Sequence, residues 1–280
     1  MINKAKRAAA FAAVFAALSG APAGAEPVDL ELVLATDNSS SIDYAEARLQ
    51  REGVAAAFRS AEVVRAIRAG ALGKIGVAYL DWSSEFYNTI TVDWTVIHDA
   101  ASATGFAEAL LAAPPAYGEG TAIGSALELA ALMMEANDLE GTLRTIDISG
   151  DGPNNRGRPV ALVRNEIIER GITVNGLPII TYDYGNGDWG DYYGRIDEYY
   201  TNCVIGGRRS FALPAYGYQD FATAIRRKLV LELSGADPAA QFAQGATASP
   251  LPRMPLTAPN NQLRLENCIS GYYGGFGDFR

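Results

Sequence analysis

Asp37, Ser39 and Ser41 alternate at the end of an apolar run, in the stretch Leu30 to Ile42, LELVLATDNSSSI. Alternating positions let one carboxylate and two hydroxyls turn their oxygens toward a single point, the hard-oxygen environment that Mg²⁺, Mn²⁺ or Ca²⁺ prefers. Two more oxygen donors stand in comparable settings far along the chain. Thr121 follows the flexible stretch Tyr117-Gly118-Glu119-Gly120, and Asp151 stands between Gly150 and Gly152, whose backbone freedom lets the acid approach a shared point. The same residues have a plainer use: Ser39 to Ser41, with Asp43, are good helix N-caps, and Thr121 suits the start of the segment after it. Asp81, Glu85 and Glu119 are acids that could support an ion from behind its ligands, although polar turns explain them as well.

The elements that must position these residues are legible in the hydropathy pattern. Leu30 to Ala35 reads as a short buried strand, and Tyr44 to Arg59 has amphipathic helical spacing, so Asp37 falls where a strand gives way to a helix. A second short helix spans Ala61 to Ala69. Lys74 to Trp82, KIGVAYLDW, and Asn88 to Ile97, NTITVDWTVI, read as two strands close enough in sequence to be antiparallel. Helices follow over Ala100 to Leu111 and Ala122 to Ala136, then a strand over Leu143 to Ser149, a helix over Val160 to Arg170, a strand over Ile172 to Ile180 and a last helix over Tyr218 to Ser234. Phe211 to Leu213 suggests a short edge strand. This alternation specifies an α/β fold with a mostly parallel central sheet, one antiparallel edge strand and helices on both faces. In such a sheet, ligands bind at the carboxyl ends of the strands, which is where Asp37 and Asp151 fall.

Three segments stand apart from that pattern. Residues 1–25 carry Lys4, Lys6 and Arg7, an apolar segment and Ala23-Gly24-Ala25, which reads as a secretory signal peptide cut after Ala25. Residues 181–200 are crowded with Tyr, Trp, Gly and acids. They read as an inserted loop in which Tyr184, Trp189, Tyr192 and Tyr193 either select a ligand or pack the loop on its own domain. The acids there do not follow an EF-hand, since two residues after Asp183 the chain has Gly185. Residues 236–280 shift to Ala, Pro, Gln, Ser and Asn and read as a low-complexity tail on the domain of residues 26–235.

The formal net charge of −9 becomes −12 once the three basic residues of the leader are removed. Such a charge argues against nucleic acid or an anionic membrane surface as a partner and suits a cation-binding protein. No second apolar run is long enough to span a bilayer, so the reading is of a periplasmic or secreted protein. Cys203 and Cys268 could pair in an oxidising compartment or remain unpaired thiols, and two cysteines without a C-x-x-C are poor metal ligands. The one histidine, His98, reads as a loop or helix-start residue. No Gly-x-Ser-x-Gly elbow or P-loop lysine motif occurs, which disfavours an enzyme that would use an ion to activate water.

Taken together, D-x-S-x-S at Asp37, Thr121 and the Gly-Asp-Gly at Asp151 resemble the metal-ion-dependent adhesion site (MIDAS) of the von Willebrand factor type A (vWA) domain. LATDNSSSID, LQREGVAAAFRSAEVVRAI, GTAIGSAL, ISGDGPNN and CVIGG resemble more closely an exported bacterial branch of that superfamily, a domain of unknown function (family 1194). The resemblance implies that Asp37, Ser39, Ser41, Thr121 and Asp151 hold one divalent cation, Mg²⁺ first and Ca²⁺ or Mn²⁺ next. It also implies a non-enzymatic role, in which the Asp or Glu of a protein partner completes the ion's coordination. Ser40 departs from the family pattern, which commonly has glycine between the two serines.

Overall fold

In a computed structural model the chain is described over residues 24–114, 116–181, 196–234 and 268. Residues 1–23, 235–267 and 269–280, and with them nearly all of the leader and tail, lie outside the described residues, as do residues 182–195 with Tyr184, Trp189, Tyr192 and Tyr193.

The elements run β1 (Glu26–Asp37), α1 (Tyr44–Arg59), α2 (Ala61–Arg68), β2 (Ile75–Trp82), β3 (Asn88–Ile97), α3 (Ala100–Ala112), α4 (Ile123–Glu135), β4 (Leu139–Gly150), α5 (Val160–Glu169), β5 (Thr173–Pro178), α6 (Ile196–Tyr199) and α7 (Phe221–Ser234). Among the described residues they form one five-stranded sheet in the order β3-β2-β1-β4-β5. β1 pairs in parallel with β2 on one side and β4 on the other, β4 with β5, and only β3 is antiparallel. The α/β class and the antiparallel edge are thus as the hydropathy pattern indicates. Phe211 to Leu213 does not form a full strand. Residues 206–215 instead run beside the outer edge of β5 through isolated bridges at Gly206, Ala212 and Ala215, which cover that edge.

Period-two alternation in β1 sorts the core into two layers. Leu30, Leu32 and Leu34 face α1, α2, α3 and α7, whereas Val33 and Ala35 face α4 and α5. The chain leaves β1 toward β2 and returns on the other side to β4, so the crevice at the carboxyl ends of β1 and β4 is where the winding reverses.

Two helices carry buried cations into the first layer. Lys228 of α7, fully buried, places Nζ 2.7 Å from Asp147 Oδ1 of β4 and 2.5 Å from Glu232 Oε1. Asn175 of β5 donates to the same Glu232 oxygen at 2.7 Å and accepts from the Phe211 amide at 3.0 Å. Removal from water pushes the Asp147 carboxyl up to about 7, although the Lys228 ammonium pulls against it and Glu232 adds to the rise. Arg51 of α1 forms the corresponding pair with Asp81 of β2. Such pairs cost desolvation on folding, and removing one partner strands the other.

Cys203 and Cys268 are joined in a disulfide, with Cα atoms 5.6 Å apart across 65 residues of sequence. Closing a loop of that length restricts the unfolded chain by about 4 kcal/mol in the chain-entropy account.

Because the folded Asp147 carboxyl holds its proton above the ordinary carboxylate range, its contribution to stability is complete at acid pH and is lost as pH rises toward about 7. Urea midpoints measured across pH 4 to 8 without divalent ions should fall with rising pH, and Asp147→Asn should flatten that slope.

Candidate metal centre

The serine hydroxyls are free of capping duty. Asp43 caps α1, accepting from the Glu46 amide at 2.9 Å while the Glu46 side chain accepts from the Asp43 amide at 2.9 Å, a reciprocal capping box. Thr121 is not the cap of α4 either; that position is Ala122, with no side-chain hydrogen bond, and Asn154 Oδ1 accepts the Gly124 amide at 3.1 Å instead.

Asp37 and Asp151 meet at the crevice. Asp37 ends β1, and Asp151 follows the last residue of the adjacent parallel strand β4. Asp37 Oδ1 accepts the Ser39 amide at 2.8 Å, which folds the loop back and turns the Ser39 hydroxyl inward. Ser39 Oγ lies 3.0 Å from Ser41 Oγ, and Ser41 Oγ donates to Asp151 Oδ1 at 3.1 Å. The D-x-S-x-S stretch and Asp151, 110 residues apart, are therefore in direct contact. Thr121, also buried, is held to the Asp151 loop by its amide, which donates to Asn155 Oδ1 at 2.8 Å, and by its carbonyl, which accepts from Asn155 N at 2.8 Å and Arg156 N at 3.2 Å. Its Oγ1 lies 3.9 Å from where a side chain on Gly152 would begin. A parallel bridge between Ser39 and Gly118 ties the Thr121 loop to the serine loop as well.

The electrostatics of this cluster are those of two acids taken out of water. Asp37 is fully buried, and its Oδ2 has no hydrogen-bond partner among the described residues. Burial first, and then the negative charge of Asp151, raise the Asp37 carboxyl well above its ordinary range; burial also raises Asp151. Two carboxyls and three hydroxyls, all hard oxygen donors, fit a divalent cation, and an orphaned buried carboxylate oxygen is the kind of group an ion satisfies. No group of three or more His, Cys, Asp or Glu placed to hold a metal ion occurs among the described residues.

Gly150 is needed at the end of β4. A Cβ there would stand 2.9 Å from Asp37 Oδ2 and 2.9 Å from the Tyr200 hydroxyl, so any side chain would push the carboxylate aside. Ser40 is exposed, and Arg209 is the only non-glycine residue described with positive φ, so the serine in place of glycine imposes no left-handed backbone strain.

Asp81 sits behind the crevice and accepts from Asn38 Nδ2, Arg51 and Thr91. It orients the residue between Asp37 and Ser39, and so supports the loop from behind. Arg51 in turn donates to the carbonyls of Leu110, Ala113 and Pro114 at 3.3, 2.6 and 3.2 Å, and Gln50 Nε2 donates to the Asp37 carbonyl at 3.2 Å. Glu119 and Glu85 are exposed on the rim. His98 lies at the opposite end of the sheet: Ile97 pairs with Ile75 at the start of β2, whereas Asp37 pairs with Trp82 at its end, roughly 25 Å away along the strands.

Sequence patterns alone missed Tyr218, Asn38 and Asn155. Tyr218 was expected to open the last helix, but Gly217, with φ 78°, turns the chain there and α7 begins at Phe221. Its hydroxyl donates to Asp151 Oδ2 at 3.1 Å and stays protonated, because burial and the Asp151 charge raise its pKa. Tyr200, expected to close an irregular loop, is fully buried where α6 runs on into the helical turn Tyr200–Val204, and its hydroxyl borders Gly150. Hydropathy flagged neither tyrosine, since both are amphipathic and their polar tips are what reach the crevice.

The chain is an α/β domain in which Asp37, Ser39, Ser41 and Asp151 meet at the carboxyl ends of two adjacent parallel strands. Residues 27–237 match the family described as Protein of unknown function (DUF1194), and the chain belongs to that family. No curated protein matches it. Among solved structures, it is similar to proximal thread matrix protein 1 (PTMP1) from the mussel byssus, at 16% identity and TM-score 0.53, covering 75% of this chain and 48% of that one. A form of the same protein described as having a zinc-occupied MIDAS motif matches at 17% identity and TM-score 0.51, covering 76% of this chain and 49% of that one. The pilus adhesin SpaC from Lactobacillus rhamnosus GG matches at 14% identity and TM-score 0.53, covering 75% of this chain and 30% of the adhesin. The chain spans about half the length of the mussel protein and under a third of the adhesin, and at these identities the likeness is one of fold.

Breaking the Arg51–Asp81 pair leaves a buried carboxyl with one charge partner fewer. Arg51→Ala is expected to cost about 3–5 kcal/mol of stability in urea denaturation. Arg48→Ala, which removes an exposed, solvent-screened pair on the same helix, should leave the urea midpoint close to wild type.

Proposed function

We propose that this protein is an exported, divalent-cation-dependent protein-binding domain of the adhesion type. Asp37, Ser39, Ser41, Thr121 and Asp151 would hold one ion, directly or through water, and a carboxylate from a partner's Asp or Glu would complete the shell. The observation that carries this reading is the buried, unpartnered Asp37 Oδ2 beside a second buried acid, Asp151. When bound, the cation supplies a positive, oxygen-seeking centre that an acidic protein otherwise lacks, so capture of an acidic group depends on the ion. Mg²⁺ is the first expectation, with Ca²⁺ and Mn²⁺ close behind.

The residues of this chain would divide the work. Asp37 and Asp151 neutralise the ion's charge, and the Ser39, Ser41 and Thr121 hydroxyls donate oxygens without adding charge. Tyr218 holds Asp151 by its second oxygen, while Gln50 and Asn38 fix the loop that carries the first acid. The adhesin and byssus-matrix neighbours support an adhesive rather than catalytic role. So does the supply of proton acceptors: Asp81 is taken up by Arg51, Asn38 and Thr91, and His98 is at the far end of the sheet. Export is supported by the leader-like N-terminus and by the Cys203–Cys268 disulfide, which an oxidising compartment maintains. No helix among the described residues is long and apolar enough to cross a membrane.

Calorimetric titration of the mature chain with Mg²⁺, Mn²⁺ and Ca²⁺ should give saturable heat that Asp37→Ala and Asp151→Ala abolish while cooperative unfolding is retained. Gly150→Ala should weaken binding at least about tenfold by displacing the Asp37 carboxylate. Ion at 100 times its Kd should add about 2.7 kcal/mol to wild-type stability. Wild-type affinity in either aspartate variant would refute the site. Stabilisation by the ion with no carboxylate-bearing partner captured would mean that the ion serves the loops alone.

A further inference from the structure

Beside the proposed ion site, the turn between β2 and β3, the loop leading to Thr121 and the loop after β4 enclose a cleft of about 400 Å³ lined by Ser84, Glu85, Phe86, Tyr87, Tyr117, Gly118, Glu119 and Arg156. Its aromatic wall is turned to solvent: Phe86 is 86% exposed, Tyr87 62% and Tyr117 42%. Burial of rings of this size favours folding, so three of them left in water on one short rim need an explanation other than packing. The wall is held in place. Ser83 N donates to the Tyr87 carbonyl at 3.0 Å, Tyr87 N to the Ser84 carbonyl at 3.2 Å, and the Ala122 amide beside Thr121 donates to the Ser83 carbonyl at 2.7 Å.

The cleft's one cation is also placed with respect to the ion site. Arg156 N donates to the Thr121 carbonyl, and the Arg156 side chain lies over Gly120, with Nε 3.1 Å from where a Cβ on that residue would be. Gly120 has φ 85°, and its missing side chain leaves the room the guanidinium occupies. Among the described residues Arg156 forms no ion pair, whereas Arg158, two residues on, is paired with both Glu128 and Glu166. An exposed, unpaired arginine next to a proposed ion ligand, in a strongly acidic protein, is complementary to a carboxylate.

We infer that the cleft is the specificity half of the binding surface. It takes a protein segment in which a single Asp or Glu is flanked by an aromatic or large aliphatic residue. This rests on the ion-dependent reading above. One carboxylate oxygen goes to the ion and the other to the Arg156 guanidinium, while the neighbouring apolar side chain stacks on Phe86, Tyr87 and Tyr117. Glu85 and Glu119 on the same rim repel further acids, so the occupant is a mixed acidic-apolar segment and not a polyacidic one. Arg156 thereby distinguishes a carboxylate, which offers two oxygens, from a neutral carbonyl or a water.

The test is a short random-peptide display library, panned on the mature chain in Mg²⁺ and eluted with chelator, with the enriched peptides resynthesised and their affinities measured. Wild type, Arg156→Gln and the double variant Phe86→Ser/Tyr87→Ser are compared, and Mg²⁺ titration of each reports the ion site separately. The expected result is enrichment of one acid next to an aromatic or large aliphatic residue, with binding roughly tenfold weaker in both variants and unchanged Mg²⁺ affinity. Substituting the flanking apolar residue of the peptide by Glu should weaken binding by at least as much. Chelator-released peptides that lack the apolar neighbour, that are rich in acids, or that bind both variants as they bind wild type would overturn the cleft assignment and leave the ion site standing. Failure to enrich any such peptide on a chain that binds Mg²⁺ also counts against it. A chain that takes up no ion removes the reading on which it rests.

Discussion

Two carboxyls, Asp37 and Asp151, are taken out of water at the carboxyl ends of adjacent parallel strands, and the surrounding loops are arranged to keep them there. Lost hydration raises both of their pKa values, and the charge of Asp151 adds to the rise at Asp37. Several polar groups nearby are committed to holding the acids and their loops in place. The Ser39 amide holds one oxygen of Asp37, Ser41 and Tyr218 hold the two oxygens of Asp151, and Asn155 fixes the Thr121 backbone. What remains is a concave set of oxygens with one carboxylate oxygen unspoken for. A cation held there, as proposed, would interact more strongly with these oxygens than on an open surface, because the low local dielectric strengthens the attraction.

The sheet's buried ion pairs fall on one side. Asp81 and Asp147 both point into the layer filled by α1, α3 and α7, at register positions flanking β1. Each is met by a cation from a helix, Arg51 from α1 and Lys228 from α7. On the opposite face Val33, Ala35, Ile146 and Ile148 meet α4 and α5, and the buried acid there, Glu31, is met by Asn137 and the Gly141 amide instead of a cation. Buried ion pairs of this kind add little net stability over apolar residues of equal size, but they penalise every alternative placement of the helices that carry them. Here they hold the two helices nearest the crevice in one register on the sheet, and so fix Gln50 on α1 and Tyr218 just ahead of α7 relative to the acids they serve.

The element pattern was readable because period and punctuation agreed: Tyr44 to Arg59 and Asn88 to Ile97 have the bounds the hydropathy suggests. β1 and β4 run several residues longer than their apolar runs, because Glu26 to Asp29 and Leu139 to Thr142 pair with each other at the sheet's amino end despite their polar character. The convergence of Asp37, Ser39, Ser41 and Asp151 was legible as well, since alternation within the loop and position past a strand end both constrain it. The capping alternative could be settled only by coordinates, because Asp43 and the serines are equally good caps on paper. Tyr218 and Tyr200 were not legible at all: each reaches the crevice from a segment whose path depends on long-range packing. The significance of the acids in YLDW and TIDIS was likewise hidden, since their partners Arg51 and Lys228 look like members of solvated helix faces until α1 and α7 are placed.

The bond between Cys203 and Cys268 closes a covalent ring that contains α7 and most of the C-terminal segment. The chain is thereby a lasso in topology as well as a folded domain. A single protease cut anywhere within that ring would open it without shedding the distal piece, which would stay attached through sulfur and part from the body only under reducing conditions. Nicking and release are thus separate chemical events for this molecule, one governed by peptide-bond access and the other by the thiol poise of its surroundings.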